Sequence, residues 1–503
     1  MNRSIEVRPG HYHDSVTLMQ VSQALADDPA VAHAQVAMGT TLNLDLLVDA
    51  GYTVPPEATA GDLVIAIHLT DEAVAGEHVD ATIAGLGARV DELLARAGRS
   101  LGGSGAGGSG ADDAPPRSIT SAAAAASRGG ADATVALISV PGPHAARAAL
   151  EAIGAGLHPI VFSDNVPVAQ EIAIKRAANA AGLLAMGPDC GTVILDGVGL
   201  GFANAVVPGP IGLVSASGTG AQQVCALADQ AGVGVRHVVG LGGRDLDDEV
   251  GGLSAIPALQ LLDADPAVEV IGIVAKSIGP ATTVRLNDTR RGLANTPTVL
   301  ITVDDLTAAT ADLLRVVGVH PAPAPGHWPA ASPRRPRPGR VVGLYSGGTL
   351  SAEAELVLAA AGLAADQVDV TDLGDDEFTR GRPHPMIDDR LRLDRLTEAI
   401  ADPSTGAVLL DVVLGHGCLA DPAAGLAPLI ASTDLPVHVA LVGTAGDPQG
   451  RDAQAAALTA AGAEVWLSNA DAARATAAAV GDAVDGDVDG DVDRDVDRDE
   501  EDR

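Results

Sequence analysis

The stretch ATVALISVPGPHAARAALEAIGAGLHPIVFSDNVP, residues 133–167, holds two short β-branched runs separated by an alanine-rich segment that opens after Pro-Gly-Pro. A buried strand reads as a short apolar run, an alanine-rich segment reads as a helix, and two strands joined through a helix run parallel. The rhythm continues through VAQEIAIKRAANAAG and LLAMGPD. It predicts an α/β fold of βαβ units around a parallel sheet, with ligands beyond the carboxyl ends of the strands. Chemistry is therefore sought in the turns that end strands: SVPGP, FSDNVP, MGPDCGT, VSASGTG, GLGGRDLDDE and VAKSIGP.

Further along, one turn is used twice, in PIGLVSASGTGAQQVCAL (210–227) and VVGLYSGGTLSAEAELVL (341–358). Each copy is a strand that ends at serine, passes through glycine and enters a helix with threonine near its start. Glycine lets the backbone approach a ligand closely, while the first helical N–H groups and the helix dipole offer partial positive charge. Ser217, Gly218 and Thr219 from one copy, with Gly347, Gly348 and Thr349 from the other, are predicted to bind one phosphoryl group from two sides. No Gly-Lys-Ser/Thr follows either turn, so neither is a Walker A loop.

Three stretches lack the residues to pack a core: a Gly/Ser linker at 101–118, a proline-rich linker at 320–339 and an acidic tail at 481–503, whose twelve acidic residues face three arginines. They divide the 503 residues into folded pieces at 1–100, 119–319 and 340–480. The net charge is −35, and only Lys175 and Lys276 are lysines among 31 basic residues. That balance fits a high-salt cytoplasm, and it argues against nucleic acid, which so acidic a surface repels. No apolar run is long enough for a membrane span, and MNRSIEVRPGHYHDSV has no signal-peptide centre, so a cytoplasmic protein is expected. Cys190, Cys225 and Cys418 are too scattered for a disulfide framework or a cysteine-rich metal site.

The run from 133 through MGPDCGT, IGLVSASGTGAQQV and GLGGRDLDDEVGG resembles the succinyl-CoA synthetase α-subunit, and the segment from 340 resembles the CoA-ligase domain of that enzyme's β-subunit. YHDSVTLMQVS, VAMGTTLNLDLL, GPDCGTVILDGVGLGFAN, GLYSGGTLSAEAE, GRPHPMID and LLDVVLGHG together resemble the FdrA proteins. The resemblance implies a small amino-terminal α/β domain (1–100), a CoA-binding-like Rossmann domain (119–208) and two flavodoxin-like ligase domains (209–319 and 340–480). Two departures limit what carries over. The strand end that holds a phosphorylated histidine in synthetases reads IVAKSIGPATTVRLNDTRRG here, without a histidine, and nothing resembles an ATP-grasp domain. The glycine-rich CoA loop that opens the synthetase α-subunit is also missing, which leaves CoA as a possible ligand only.

What the resemblance implies for function falls into three classes. The first is carbamoyl transfer between oxalurate or oxamate and phosphate or carbamoyl phosphate in purine degradation, with partner subunits in an oligomer. It needs a phosphate cradle, a carboxylate grip and oxyanion stabilisation, but no histidine relay. The second is acyl-CoA ligation with a separate ATP-grasp subunit. The third is a non-catalytic CoA sensor or scaffold.

Among single residues, Lys276 ends the core strand VIGIVAKS and supplies a compact point charge in a chain that otherwise uses arginine, whereas Lys175 reads as a solvated helix face. GRPHPMID holds His384 between two prolines beside Arg382, a candidate substrate contact, and Asp388, as a general acid/base, an oxyanion donor or a histidine satisfying loop backbone; His416 follows a buried strand and glycines and is a second candidate to face the ligand. Asp189 and Cys190 sit in a strand-end turn, Asp189 as a ligand contact and Cys190 in a packing or ligand-contact role. Arg244 is an anion fork with Asp245 as its orienting carboxylate, and Asp247, Asp248 and Glu249 cap the next helix. His11 and His13 alternate as on one strand face, but no third ligand for a metal is evident.

Overall fold

The structure is a computed structural model that describes residues 3–11, 13, 15–26, 28–56, 58, 59, 61–74, 79–101, 116–379 and 383–485. Arg382 and most of the 101–118 and 481–503 stretches lie outside the described residues.

The amino-terminal piece contains β1 (Arg3–Arg8), α1 (Ser15–Ala26), β2 (Val31–Met38), α2 (Thr41–Asp49), β3 (Leu63–Leu69), α3 (Asp71–Val74) and α4 (Val79–Leu101). Its sheet is antiparallel in the order β1-β3-β2. Central β3 is apolar at nearly every position, while the edge strand β2 alternates buried with less buried residues, as a one-sided edge should. His11 and His13 follow β1 instead of sharing its face.

The next unit contains α5 (Ile119–Arg128), β4 (Val135–Ile138), α6 (Gly142–Gly154), β5 (His158–Val161) and α7 (Val168–Ala180), with β4 and β5 parallel. Helix α6 begins with Pro143 in its first turn and buries Ala145, Ala149 and Ala152 at helical spacing. The hairpin β6 (Thr192–Leu195) and β7 (Val198–Gly201), placed by sequence within 119–208, instead joins the following sheet through Ile194 opposite Val238.

That sheet carries β8 (Ile211–Ser215), α8 (Gly218–Gln230), β9 (Val235–Gly240), α9 (Ala255–Ala264), β10 (Val270–Ala275), α10 (Pro280–Gly292), β11 (Thr298–Thr302) and α11 (Leu306–Val316). Its order is β11-β10-β8-β9-β6-β7. Strands β8 and β10 are buried along their full length because helices cover both faces.

A second six-stranded sheet follows. Its elements are β12 (His327–Trp328), β13 (Arg340–Tyr345), α12 (Gly348–Ala360), β14 (Val368–Asp372), α13 (Asp376–Thr379), α14 (Arg390–Ala401), β15 (Thr405–Val413), α15 (Pro422–Ala431), β16 (Val437–Val442), α16 (Arg451–Ala460), β17 (Glu464–Trp466) and α17 (Asn469–Asp485). The order is β12-β17-β16-β15-β13-β14. In both sheets the first strand of the unit lies between the second and third, the doubly wound order whose switch point opens beside β8 and β13.

The proline-rich stretch is more than a linker. His327 and Trp328 pair with β17, and the Arg334 guanidinium donates to the carbonyls of Ile430, Leu435 and Ala461. Helix α17 also runs into the predicted tail, as far as Asp485. One continuous core joins the two six-stranded units, from Ile211, Leu213 and Val224 through Tyr345, Leu350 and Val357 to Ala473.

Candidate functional site

The repeated turns meet. Ser217 caps α8, its hydroxyl accepting from the Gly220 N–H, and donates across the seam to Thr349 Oγ1 at 2.6 Å. On the other diagonal, Gly347 lies so close to Thr219 that a methyl group at Gly347 would come within 2.6 Å of Thr219 Oγ1. The hydroxyl-bearing residues are thus turned into the seam between the helices. Gly218 and, in part, Gly348 remain exposed beside it, so the surface there is first-turn N–H groups that the helices themselves leave unbonded.

The two ends are built differently underneath. On α8 the Thr192 Oγ1 is 3.0 Å from where a methyl on Gly218 would sit, and that hydroxyl donates to the Phe202 carbonyl. On α12 the neighbour is a carboxylate: Asp372 Oδ2, at the end of β14, lies 2.6 Å from the corresponding position on Gly348. Burial pushes Asp372 up to about 6, with Asp411 and Asp375 adding to the shift; the Gly374 N–H and Lys276 oppose it. Lys276 is exposed just after β10, and its charge is the weakest of these influences on Asp372.

The turn before α12 is anchored from below. Ser346 donates both its N–H and its hydroxyl to the buried Asp411 carboxylate at 2.8–3.0 Å, and Arg392 reaches the same residue. Arg392 also donates to the Pro385 carbonyl, which fixes the loop holding His384. His384 Nδ1 accepts from the Met386 N–H at 3.2 Å, so Nε2 carries the hydrogen, and Nε2 points at the same side of Gly374 as Asp372 Oδ1. His384 is half-buried, and burial pushes its imidazole down to about 4, with Arg392 contributing, so it is neutral at physiological pH. Phe202 packs its ring against it, centroids 5.6 Å apart.

Other predicted residues fall elsewhere. His416 is exposed; its N–H bridges to the Ala203 carbonyl and its ring lies against Gly199, at the seam between the units. Cys190 is buried with its sulfur toward the Thr192 and Gly240 carbonyls, and burial pushes the thiol up to about 12, which makes it a packing residue.

Asp189 and Arg244 line an open cleft of about 370 Å³ with Asp164, Asn165, Val166, Pro167, Pro188 and Gly243. Arg244 donates to the Val166 carbonyl and pairs with Glu171 at 2.9 Å. With Asp164 and Asp189 set against one arginine that is already paired with Glu171, the lining is net acidic and repels anions.

Asp245 does not orient Arg244. It is fully buried, pairs with Lys175 at 2.8 Å and accepts from the Ser254 and Ala255 N–H groups at the start of α9. Lys175, far from a solvated face, is itself fully buried between Glu171 and Asp245, with a third bond to the Leu241 carbonyl. Asp248 caps α10 through Thr282 instead of the next helix, α9. Sequence reasoning missed Asp372, Asp411 and Arg392; only Asp372, as a polar residue ending a strand, carried a usable signal.

Residues 344–479 match the CoA-ligase family, and residues 1–103 match the AllF, heavy metal-associated domain family. That name implies a metal, but none of the three cysteines lies in 1–103, and among the described residues no three His, Cys, Asp or Glu side chains gather to hold one. The chain is 29–33% identical over 29–30% of its length to several succinate–CoA ligase α-subunits. One of them is subunit alpha 2 of Archaeoglobus fulgidus, at 33%, of which the chain spans about half (51%). A solved acetyl-coenzyme A synthetase 1 of Ca. Korarchaeum cryptofilum, in complex with phosphate and ADP, aligns over 70% of this chain and 83% of its own at 16% identity, with a TM-score of 0.29. The uncharacterized protein YahF of Escherichia coli (strain K12) is 32% identical over 84% of this chain and 86% of its own length. With that reach and a succinyl-CoA synthetase α-like core followed by a CoA-ligase domain, the chain belongs to the FdrA family, alongside YahF.

Proposed function

We propose that this chain is a subunit of a carbamoyltransferase that moves a carbamoyl group between the oxalurate/oxamate pair and phosphate/carbamoyl phosphate. The observation that carries the reading is the joined pair of helix N-termini, with exposed Gly218 and partly exposed Gly348 at its surface; Lys276, exposed just after β10, adds positive charge felt by Asp372. Two first-turn N–H sets and an ammonium suit a dianion, and the stretch 273–292 holds no histidine to occupy the place between them. Neutral His384, with its Nε2–H, is a hydrogen-bond donor for the oxyanion that forms at the carbamoyl carbon. The AllF-type amino-terminal region supports a place in purine breakdown, and the α-subunit relatives support partner subunits.

In the phosphorolytic direction a phosphate oxygen attacks the ureido carbon, the C–O bond forms, the C–N bond breaks, and the departing nitrogen takes a proton to give oxamate. The second reading, acyl-CoA ligation with a separate ATP-grasp subunit, is favoured by the similarity to succinate–CoA ligase α-subunits. The test is to incubate the full chain and its co-expressed partners with oxalurate and inorganic phosphate and to follow carbamoyl phosphate by phosphorus NMR. Its appearance is expected. Its absence, together with thioester formation from succinate, ATP and CoA, would overturn the proposal in favour of ligation.

A further inference from the structure

The seam between α8 and α12 has one neutral and one acidic end, and the carboxylate at the acidic end does not itself help to bind a dianion. The Asp372 carboxylate lies over the first turn of α12, where an ionised group repels the phosphate that the turn attracts. The groups facing it from each neighbouring element are Lys276 at the end of β10, Asp411 from β15, Asp375 and the Gly374 N–H on its own loop, and His384 Nε2 across Gly374. Oδ1 accepts from the Gly374 N–H at 2.9 Å, which leaves Oδ2 directed at the helix end.

Neither neighbour can take a proton in its place. Nδ1 of His384 is already an acceptor for Met386 and its other nitrogen bears hydrogen, while Lys276 is an exposed ammonium suited to gripping the anion. Resting on the proposed carbamoyl transfer, we propose that Asp372 carries the proton of this site. Its carboxylate accepts the proton of bound hydrogen phosphate as the phosphate oxygen attacks the carbamoyl carbon, and delivers it to the nitrogen that leaves. Atoms balance: hydrogen phosphate and oxalurate become carbamoyl phosphate and oxamate, with the phosphate proton ending on the oxamate amide and Asp372 returned to its starting form. A carboxyl group lifted toward neutrality is matched to both halves of that exchange.

The test compares wild type with Asp372→Asn and Asp372→Glu, as full chains with partner subunits. It reads carbamoyl phosphate formation and, by calorimetry, inorganic phosphate binding between pH 5 and 8. Asp372→Asn is expected to lower turnover by about 10²- to 10⁴-fold, to bind phosphate at pH 8 as well as wild type or better, and to lose the acid limb of the pH profile. Asp372→Glu, which keeps the carboxyl, is expected to retain part of the rate. Turnover of Asp372→Asn within about threefold of wild type, well short of that factor, or a loss of phosphate binding as large as the loss of rate, would overturn the assignment. If wild type binds phosphate without making carbamoyl phosphate, the reaction reading fails. Asp372 is then judged by binding alone, where a pH dependence identical in wild type and Asp372→Asn overturns it. If wild type binds no phosphate, both fall.

Discussion

The two lysines of this chain should separate fold from chemistry when each is replaced by methionine. Lys175 is fully buried, with its ammonium 2.7 Å from Glu171, 2.8 Å from Asp245 and 3.0 Å from the Leu241 carbonyl. Removing it leaves two carboxylates in a water-free site. Asp245 keeps the Ser254 and Ala255 N–H groups and Glu171 keeps Arg244, so compensation is partial. Breaking a buried ionic cluster by deleting one partner costs about 3–5 kcal/mol. At ~2–4 °C per kcal/mol for a unit of this size, the thermal midpoint should fall by roughly 6–20 °C. Replacing Glu171 by leucine in the same chain removes one orphan charge and should recover part of the loss, a coupling above about 1 kcal/mol. Lys276, exposed at the end of β10, should change stability by less than about 0.5 kcal/mol when replaced, while phosphate-dependent turnover falls sharply. Thermal unfolding followed by circular dichroism checks the first claim and the phosphorus NMR assay the second. A Lys175→Met protein that melts within 2 °C of wild type would refute the argument that the buried triad holds α7 against the sheet, because even 1 kcal/mol moves the midpoint about that far.

Two further outcomes follow from packing and burial. Gly347→Ala places a methyl 2.6 Å from Thr219 Oγ1, so overpacking should lower stability by about 1–3 kcal/mol, and adding Thr219→Ala should recover part of it in urea unfolding. Glu353 is fully buried between the Leu306 N–H and the Asn469 amide, and burial pushes its carboxyl up to about 7. A carboxyl raised in the folded state binds its proton more tightly there than in the unfolded chain. Its contribution is therefore complete below the ordinary carboxylate range and lost as pH rises to about 7. Unfolding free energies measured from pH 4 to 8 should show that decline in wild type and a flatter profile in Glu353→Gln.

Much of the architecture is legible in the sequence because its signals are local. Fully buried parallel strands such as β8 and β10 give unbroken apolar runs, and the doubly wound order follows from strands alternating with helices. The glycine-serine turns at 217 and 347 also declare themselves as helix starts. Pairings made across the chain do not. Lys175 shares its helix with Glu171, but its second carboxylate is 70 residues away, and without Asp245 in view a lysine among alanines reads as solvated. The same holds for Asp411, whose role depends on Ser346 just after β13 and Arg392 from α14. The docking of the β6–β7 hairpin is likewise not legible, because a hairpin's own residues fix its turn but not the strand it docks on; Ile194 meets Val238 only after β9 is in place.

The repeat has a physical reason in the way two similar units can meet. Each doubly wound sheet exposes the start of the helix after its first strand at the switch point, and each such helix carries a small residue beside a hydroxyl: Gly218-Thr219 in one, Gly348-Thr349 in the other. Bringing the two starts together is costly, because like ends of two dipoles repel and the unbonded N–H groups of each lose water. The direct contacts in the seam, Ser217 to Thr349 and Gly347 against Thr219, offset only part of that, and the buried amides Gln222 and Gln223, bonded to the Leu414 and Leu467 carbonyls, brace α8 from behind. What neutralises the remaining positive potential differs between the ends. At α8 it is the Ser217 hydroxyl, which accepts from the Gly220 N–H, and the nearby Thr192 hydroxyl; at α12 it is the charge of Asp372 when ionised. On the proposed reading, an arriving dianion displaces the need for that charge, and the carboxylate, already pressed toward protonation by burial and by Asp411, is the group that takes the phosphate proton as the oxygen attacks. Asymmetry in an otherwise repeated structure thus marks where proton transfer is expected, and the symmetric features mark where the anion is held.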